Sequence, residues 1–265
     1  MEDDQRLIIA GDSWSQGEFY RFIRKENTQF GDGVTQRSHP GMWHYLFEHF
    51  PDSYIANLGI SGGHNDNQVR QIKEEIDQIN PDAVIFFYTC PSRTLASRMF
   101  QGRIPELNFN TLTIDQYEFY CKKFAREIFV DLNSLNVPVL LIGGHVDLPI
   151  EQFTDCANLV PLIPSMKNLV DKPLENLNGS FPKSYLDYDN LERTFWVYER
   201  SFTKEVNPDL QTYLTLRHEE TMCQQRWTKN PKYFPDNGHG GRLLHKLATD
   251  IVAQYLKTQL PKKYF

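Results

Sequence analysis

Leu7-Ile8-Ile9-Ala10-Gly11-Asp12-Ser13-Trp14 decides how this chain is read. A run of apolar residues without alternation makes a strand covered on both faces, as in a parallel sheet. Gly11 breaks the run, and Asp12 and Ser13 are residue types that open a helix. The same apolar run followed by a break recurs at Ala83 to Tyr88 and at Val137 to Ile142, the latter closing at Gly143-Gly144. Helix-like segments lie between them: Gly41 to Phe47, Asn67 to Ile79 with Val69, Ile72, Ile76 and Ile79 on one face, and Thr113 to Leu135. Ser53 to Leu58 reads as a second strand and Asn158 to Ile163 as a fifth, although Pro161 and Pro164 count against the latter. Strand, helix, strand in this order predicts an α/β fold, a three-layer sandwich around a central parallel sheet of about five strands.

The 265 residues carry 28 Lys+Arg against 34 Asp+Glu, a formal net charge of −6, and 40% are hydrophobic. That balance excludes a disordered chain, and its mild acidity argues against nucleic acid or an anionic membrane as partner. A chain of this length buries roughly 70 to 75% of its unfolded surface, enough for one large core, and a single domain over 1–265 is expected. The longest continuous apolar run, Ala83 to Tyr88, is far short of a membrane span. Met1-Glu2-Asp3-Asp4-Gln5-Arg6 has the wrong charge for a secretion signal, so the expected location is cytoplasmic. Cys90, Cys121, Cys156 and Cys223 are widely spaced with no CxxC pair, which suits reduced core thiols.

Residues 164–235 break the alternation of strands and helices. They are rich in proline and aromatics and are expected to form an insertion, with helices at Leu191 to Phe202 and Leu214 to Trp227, for which a lid is one role open to it. After it, Leu243, Leu244, Leu247, Ile251, Val252 and Tyr255 recur at helical spacing and predict a terminal helix.

Two short motifs carry chemistry. Ser13 stands where the first strand gives way to a helix, at the carboxyl end of a parallel sheet, where sites form. Its hydroxyl is a candidate nucleophile, and backbone N–H groups at the helix start are candidate oxyanion donors. Asp236-Asn237-Gly238-His239 directly precedes the terminal helix. His239 is the residue type that serves as base to a Ser nucleophile, and Asp236 the type that orients it. Each motif also has a structural reading, Asp12 as a helix N-cap and 236–239 as a turn.

Together these residues resemble the SGNH hydrolase family, also called the GDSL esterases and lipases. Gly11-Asp12-Ser13 is similar to that family's first block, Asn57-Leu58-Gly59-Ile60-Ser61-Gly62 to its second, and Asp236 with His239 to its last. The resemblance implies a flavodoxin-like topology, a Ser13-His239-Asp236 triad, and oxyanion donors on the backbone of Ser13 and Gly62; no cofactor is expected. The third block departs from the family: its Asn, an oxyanion donor, is replaced near Pro91 within Thr89-Cys90-Pro91-Ser92-Arg93. One lost donor costs roughly 2.7 to 4 kcal/mol of transition-state stabilisation.

Candidate substitutes are Thr89, Ser92 and Arg93 in the same loop and Asn65 and Asn67 after the second block, with Asn65 and Arg93 foremost. Arg93 can also bind a substrate carboxylate or phosphate by its fork. Asp12 is a second carboxylate available to His239. Trp14 is a candidate to stack on a sugar or acyl chain, and His145, after Gly143-Gly144, is a candidate pocket residue. His64 and Asp66 are better helix-terminal residues than metal ligands, and no metal is assigned. The sequence thus points to a serine esterase acting on a small acyl or acetyl ester through an acyl-enzyme. Its alternatives are a catalytically weakened binding or assembly protein on the same fold, or an acyltransferase.

Overall fold

The computed structural model of the protein describes residues 5–22, 34–60, 62–108, 110–144, 146–166, 169, 209–210 and 242–260. Five strands form one sheet: β1 (Arg6–Ala10), β4 (Tyr54–Asn57), β5 (Ala83–Tyr88), β6 (Val139–Gly143) and β7 (Leu159–Ile163). Their order is β4-β1-β5-β6-β7, and every pairing is parallel. The expected α/β sandwich is therefore the observed one. Pro161 is accommodated because β7 is an edge strand, where a missing N–H can face away from the sheet.

Alternation along the strands builds two cores. Leu7, Ile9, Ile85, Phe87, Leu140 and Ile142 face one way and pack with α2 (Met42–His49) and α6 (Arg242–Gln259), the latter through Leu244, Ala248, Val252 and Leu256. Ile8, Ala10, Val84, Phe86, Tyr88 and Leu141 face the other way onto α3 (Asn65–Ile79) and α5 (Ile114–Asn133). Each helix presents one apolar stripe, so the sheet is covered on both sides. The boundaries follow local chemistry: Thr113 and Gln116 form a reciprocal capping box at the start of α5, and Asn80, at φ 48, ends α3 in the left-handed region.

Two features differ from the sequence reading. The helix after Ser13, α1 (Ser13–Gln16), lasts a single turn and passes into β2 (Glu18–Phe22), which pairs antiparallel with β3 (Val34–His39) as a separate two-stranded sheet. Residues 91–100 form a helix, α4 (Pro91–Phe100), with Pro91 at its first position. Its apolar content is confined to Leu95, Ala96, Met99 and Phe100, too little to show as an amphipathic repeat, but Pro at the start and Gly102 just beyond the end are the relevant signals. Almost all of the expected insertion at 164–235, including both of its helices, lies outside the described residues. No helix among the described residues is long and apolar enough to cross a membrane.

Phe129 is fully buried between α5 and the sheet, stacked on Tyr88 at 5.2 Å, whereas Phe119 on the same helix is 60% exposed. In urea unfolding, Phe129→Ala is expected to cost about 3 to 5 kcal/mol and Phe119→Ala less than about 0.5 kcal/mol.

Candidate active site

The carboxyl ends of β1, β4 and β5 bring three loops together. The first is the turn Gly11-Asp12-Ser13. Asp12 caps α1, its Oδ1 accepting the Trp14 N–H at 3.0 Å, and Ser13 is the first residue of that helix. Gly11 is required here: its φ is +153, and a Cβ would lie 2.5 Å from Phe87 Cβ on β5. The Gly11 N–H is received by Oε1 of Gln68, a buried α3 side chain, at 3.0 Å.

The second loop, after β4, is stitched to the first. Ile60 N donates to the Gly11 carbonyl at 3.0 Å, and Leu58 N to the Ile9 carbonyl at 2.7 Å. The Asn57 amide spans both loops: its Oδ1 accepts the Gly59 N–H and its Nδ2 donates to the Ser15 carbonyl. Gln16 Nε2 donates to the Gly59 carbonyl at 2.7 Å. A Cβ at Gly59 would stand 2.0 Å from Ser15 Oγ, so only glycine permits this approach. Gly62, at φ +72, is exposed, and nothing lies within 4 Å of where its Cβ would be. The backbone there adopts a conformation that favours glycine.

The third loop, Thr89 to Arg93, ends on Asp12. The Asp12 carboxylate is 2% exposed, and its Oδ2 accepts from Thr89 Oγ1 at 2.7 Å and from the Arg93 guanidinium at 2.8 Å. Both carboxylate oxygens are thereby engaged by donors, as a buried charge demands. Asn65 braces the same loop, its Nδ2 donating to the Thr89 carbonyl and its Oδ1 accepting the Thr89 N–H. Asn65 is 1% exposed, so its place in the structure is that of an internal brace and not of a donor facing a ligand.

Trp14 is likewise a core residue, 1% exposed. A Cβ at Gly144 would come within 3.3 Å of it, and no ring face is left to stack on a sugar. Arg93 is 23% exposed and paired with Asp12, not a solvated surface charge. Among the described residues the structure thus gathers Asp12, the Ser13 backbone, Asn65, Thr89 and Arg93 around one junction, with Gly62 following two residues after Ile60 of the second loop. Asp236, His239 and His145 lie outside the described residues. Gln68 and the bridging role of Asn57 were not anticipated from sequence, because a buried amide serving a distant backbone leaves no local pattern.

His64 precedes α3 and ties it to α4, its Nε2 lying 2.9 Å from Ser97 Oγ. Burial foremost, together with Arg103, Arg98 and Arg70, lowers its pKa from 6.5 against the opposing pull of Asp66. The folded state therefore binds the proton more weakly than the unfolded chain does. The contribution of neutral His64 to stability is complete above pH 6.5 and declines as pH falls below it, down to the folded pKa. Urea unfolding from pH 7.5 to pH 5 is expected to show a shallower loss of stability in His64→Gln than in the wild type; parallel curves would contradict this.

No family model matches the chain, and no curated protein matches it. Solved structures do. A lipase/acylhydrolase from Enterococcus faecalis aligns over 98% of this chain and 100% of its own, with 12% identity and a TM-score of 0.41. A psychrotrophic esterase from Pseudoalteromonas sp. aligns over 97% and 99%, with 13% identity and a TM-score of 0.38. An acetylxylan esterase from Geobacillus stearothermophilus aligns over 100% of both chains, with 14% identity and a TM-score of 0.33. The structural neighbours of the chain thus include lipases and esterases along nearly its whole length. At these values the likeness is one of general architecture, and the chemistry rests on the residues described above.

Proposed function

We propose that the protein is a serine hydrolase of carboxylic esters, working on a small acyl or acetyl group through a covalent acyl-enzyme. The observation that carries this reading is the junction at the sheet's carboxyl edge, where the Gly11-Asp12-Ser13 turn is hydrogen-bonded to the Gly59–Gly62 loop and held by a buried ion pair. Ser13 is the nucleophile in this reading, and the N–H groups of Ser13 and Gly62 receive the oxyanion. The Asp236-Asn237-Gly238-His239 motif, directly before α6, supplies the base and its orienter.

In the first step Ser13 Oγ attacks the ester carbonyl while His239 takes the hydroxyl proton. The tetrahedral oxyanion collapses and expels the alcohol, to which His239 returns the proton. Water, deprotonated in turn by His239, then attacks the acyl-enzyme, and the second tetrahedral intermediate collapses to release the acid as His239 returns the proton to Ser13 Oγ. Asp236 holds the imidazole in the required tautomer and steadies the imidazolium. All bonds made and broken belong to serine, ester and water, so no cofactor enters the scheme.

The test is steady-state and burst kinetics on short-chain aryl esters. The wild type is expected to release the phenolic product in a burst that scales with enzyme concentration. Ser13→Ala and His239→Ala are each expected to lower kcat by roughly 10⁴-fold or more, with the double variant little worse than either single. Absence of turnover and burst in folded wild type would favour the binding-protein alternative, which the replacement of the third-block Asn near Pro91 supports. A product partition that shifts to added alcohols over water would identify an acyltransferase.

A further inference from the structure

We infer that Arg93 is a positioning residue for the Ser13 turn, acting through the buried Asp12 carboxylate; the inference rests on the hydrolase reading for its kinetic consequences. The carboxylate is fixed at both oxygens, with Trp14 N–H on Oδ1 and Thr89 Oγ1 and Arg93 on Oδ2. Fixing both oxygens fixes the carboxylate plane, and through it the Asp12 Cα and the peptide that leads into Ser13. Of the three donors Arg93 alone carries a positive charge, and a buried carboxylate left with neutral donors only is strongly destabilised.

Arg93 is itself held in place. It stands in the first turn of α4, whose start is set by Pro91. One turn further on, Ser97 meets His64 and Arg98 makes a two-pronged pair with Asp66, its Nε at 2.7 Å and its second nitrogen at 2.8 Å. Arg98 also pairs with Glu127 on α5 and lies over the Phe124 ring at 4.0 Å. Helix α4 is thus clamped to α3 and α5, and Arg93 is presented to Asp12 from a rigid support. The guanidinium also reaches Thr89 Oγ1 at 3.3 Å, so hydroxyl, carboxylate and guanidinium are mutually hydrogen-bonded. Without Arg93 the Asp12 carboxylate loses its charged donor and is drawn toward water. That change loosens the α1 cap and displaces the peptide that carries the nucleophile, and a displacement of about 1 Å can cost about 10²-fold in rate.

Charge chemistry makes the prediction specific. In Asp12→Asn the new amide can keep the bond from Trp14 N–H with its oxygen, but its NH₂ then faces the guanidinium, donor against donor. In Arg93→Met the carboxylate lacks its charge partner. Each single variant is expected to lower kcat on an aryl ester by roughly 10- to 100-fold with little change in KM. The double variant Asp12→Asn/Arg93→Met removes charge and partner together and is expected to recover most of the rate, while Arg93→Lys retains an intermediate rate. Thermal unfolding confirms that each variant is folded at the assay temperature.

Hydrogen exchange of the peptide spanning Gly11–Gln16 reads the lock without reference to catalysis. Exchange is expected to be faster in Arg93→Met and restored in the double variant. An Arg93→Met protein within twofold of wild-type kcat, a double variant as slow as the product of the two singles, or unchanged exchange in Arg93→Met would each overturn the inference. Inactive wild type would count against the hydrolase reading alone, because the exchange experiment still decides the lock.

Discussion

A carboxylate that is 2% exposed and sits at the end of a central strand constrains everything around it. Asp12 must be met by donors, and they come from two segments: Trp14 in the adjacent first turn of α1, and Thr89 and Arg93 some eighty residues on, just after β5 and in the first turn of α4. Satisfying one buried charge therefore fixes the relative placement of the segments that carry the candidate site. The sheet makes this attainable, since β1 and β5 are neighbours and end together. Their tips converge as a consequence of parallel pairing, and Asp12 and Thr89 each follow the last residue of a strand or its closing glycine.

Close approach is the second constraint. Gly11 and Gly59 stand where a Cβ would meet Phe87 or Ser15 at 2.5 Å and 2.0 Å. Glycine lets the backbones of the first and second loops come near enough to exchange hydrogen bonds directly, with Gln16, Asn57 and Gln68 closing the remaining gaps. The Gly11 N–H and the carbonyls of Gly11, Ser15 and Gly59 are each met by a partner from another segment, so movement of one loop breaks bonds in the others.

How far the sequence discloses this follows from the range of each interaction. Unbroken apolar runs at Leu7 to Ala10 and Ala83 to Tyr88 specify strands buried on both faces without knowledge of their neighbours, and the five-stranded parallel sheet is legible for that reason. Helix α3 is legible because Val69, Ile72, Ile76 and Ile79 repeat at the helical period. Helix α4 is hidden because much of its surface meets polar partners, and ion pairs such as Arg98 with Asp66 have no periodic trace. The structural roles of Asn65 and Arg93 are legible only as residue types. Both were recognised as polar donors near the site, yet which atoms they serve is set by tertiary approach: Asn65 clasps the Thr89 backbone, and Arg93 turns to Asp12. The indole of Trp14 suggested a ligand platform by its chemistry, whereas the packing of Gly144 against it makes it core.

The central claim is that the turn held by Asp12 presents Ser13 as an activated nucleophile. Treatment of the folded protein with a fluorophosphonate probe, followed by peptide mass spectrometry to locate the adduct, tests it without knowledge of the substrate. The account predicts rapid modification confined to Ser13 and its loss in His239→Ala. Modification of another residue, or none in protein shown to be folded, would contradict it.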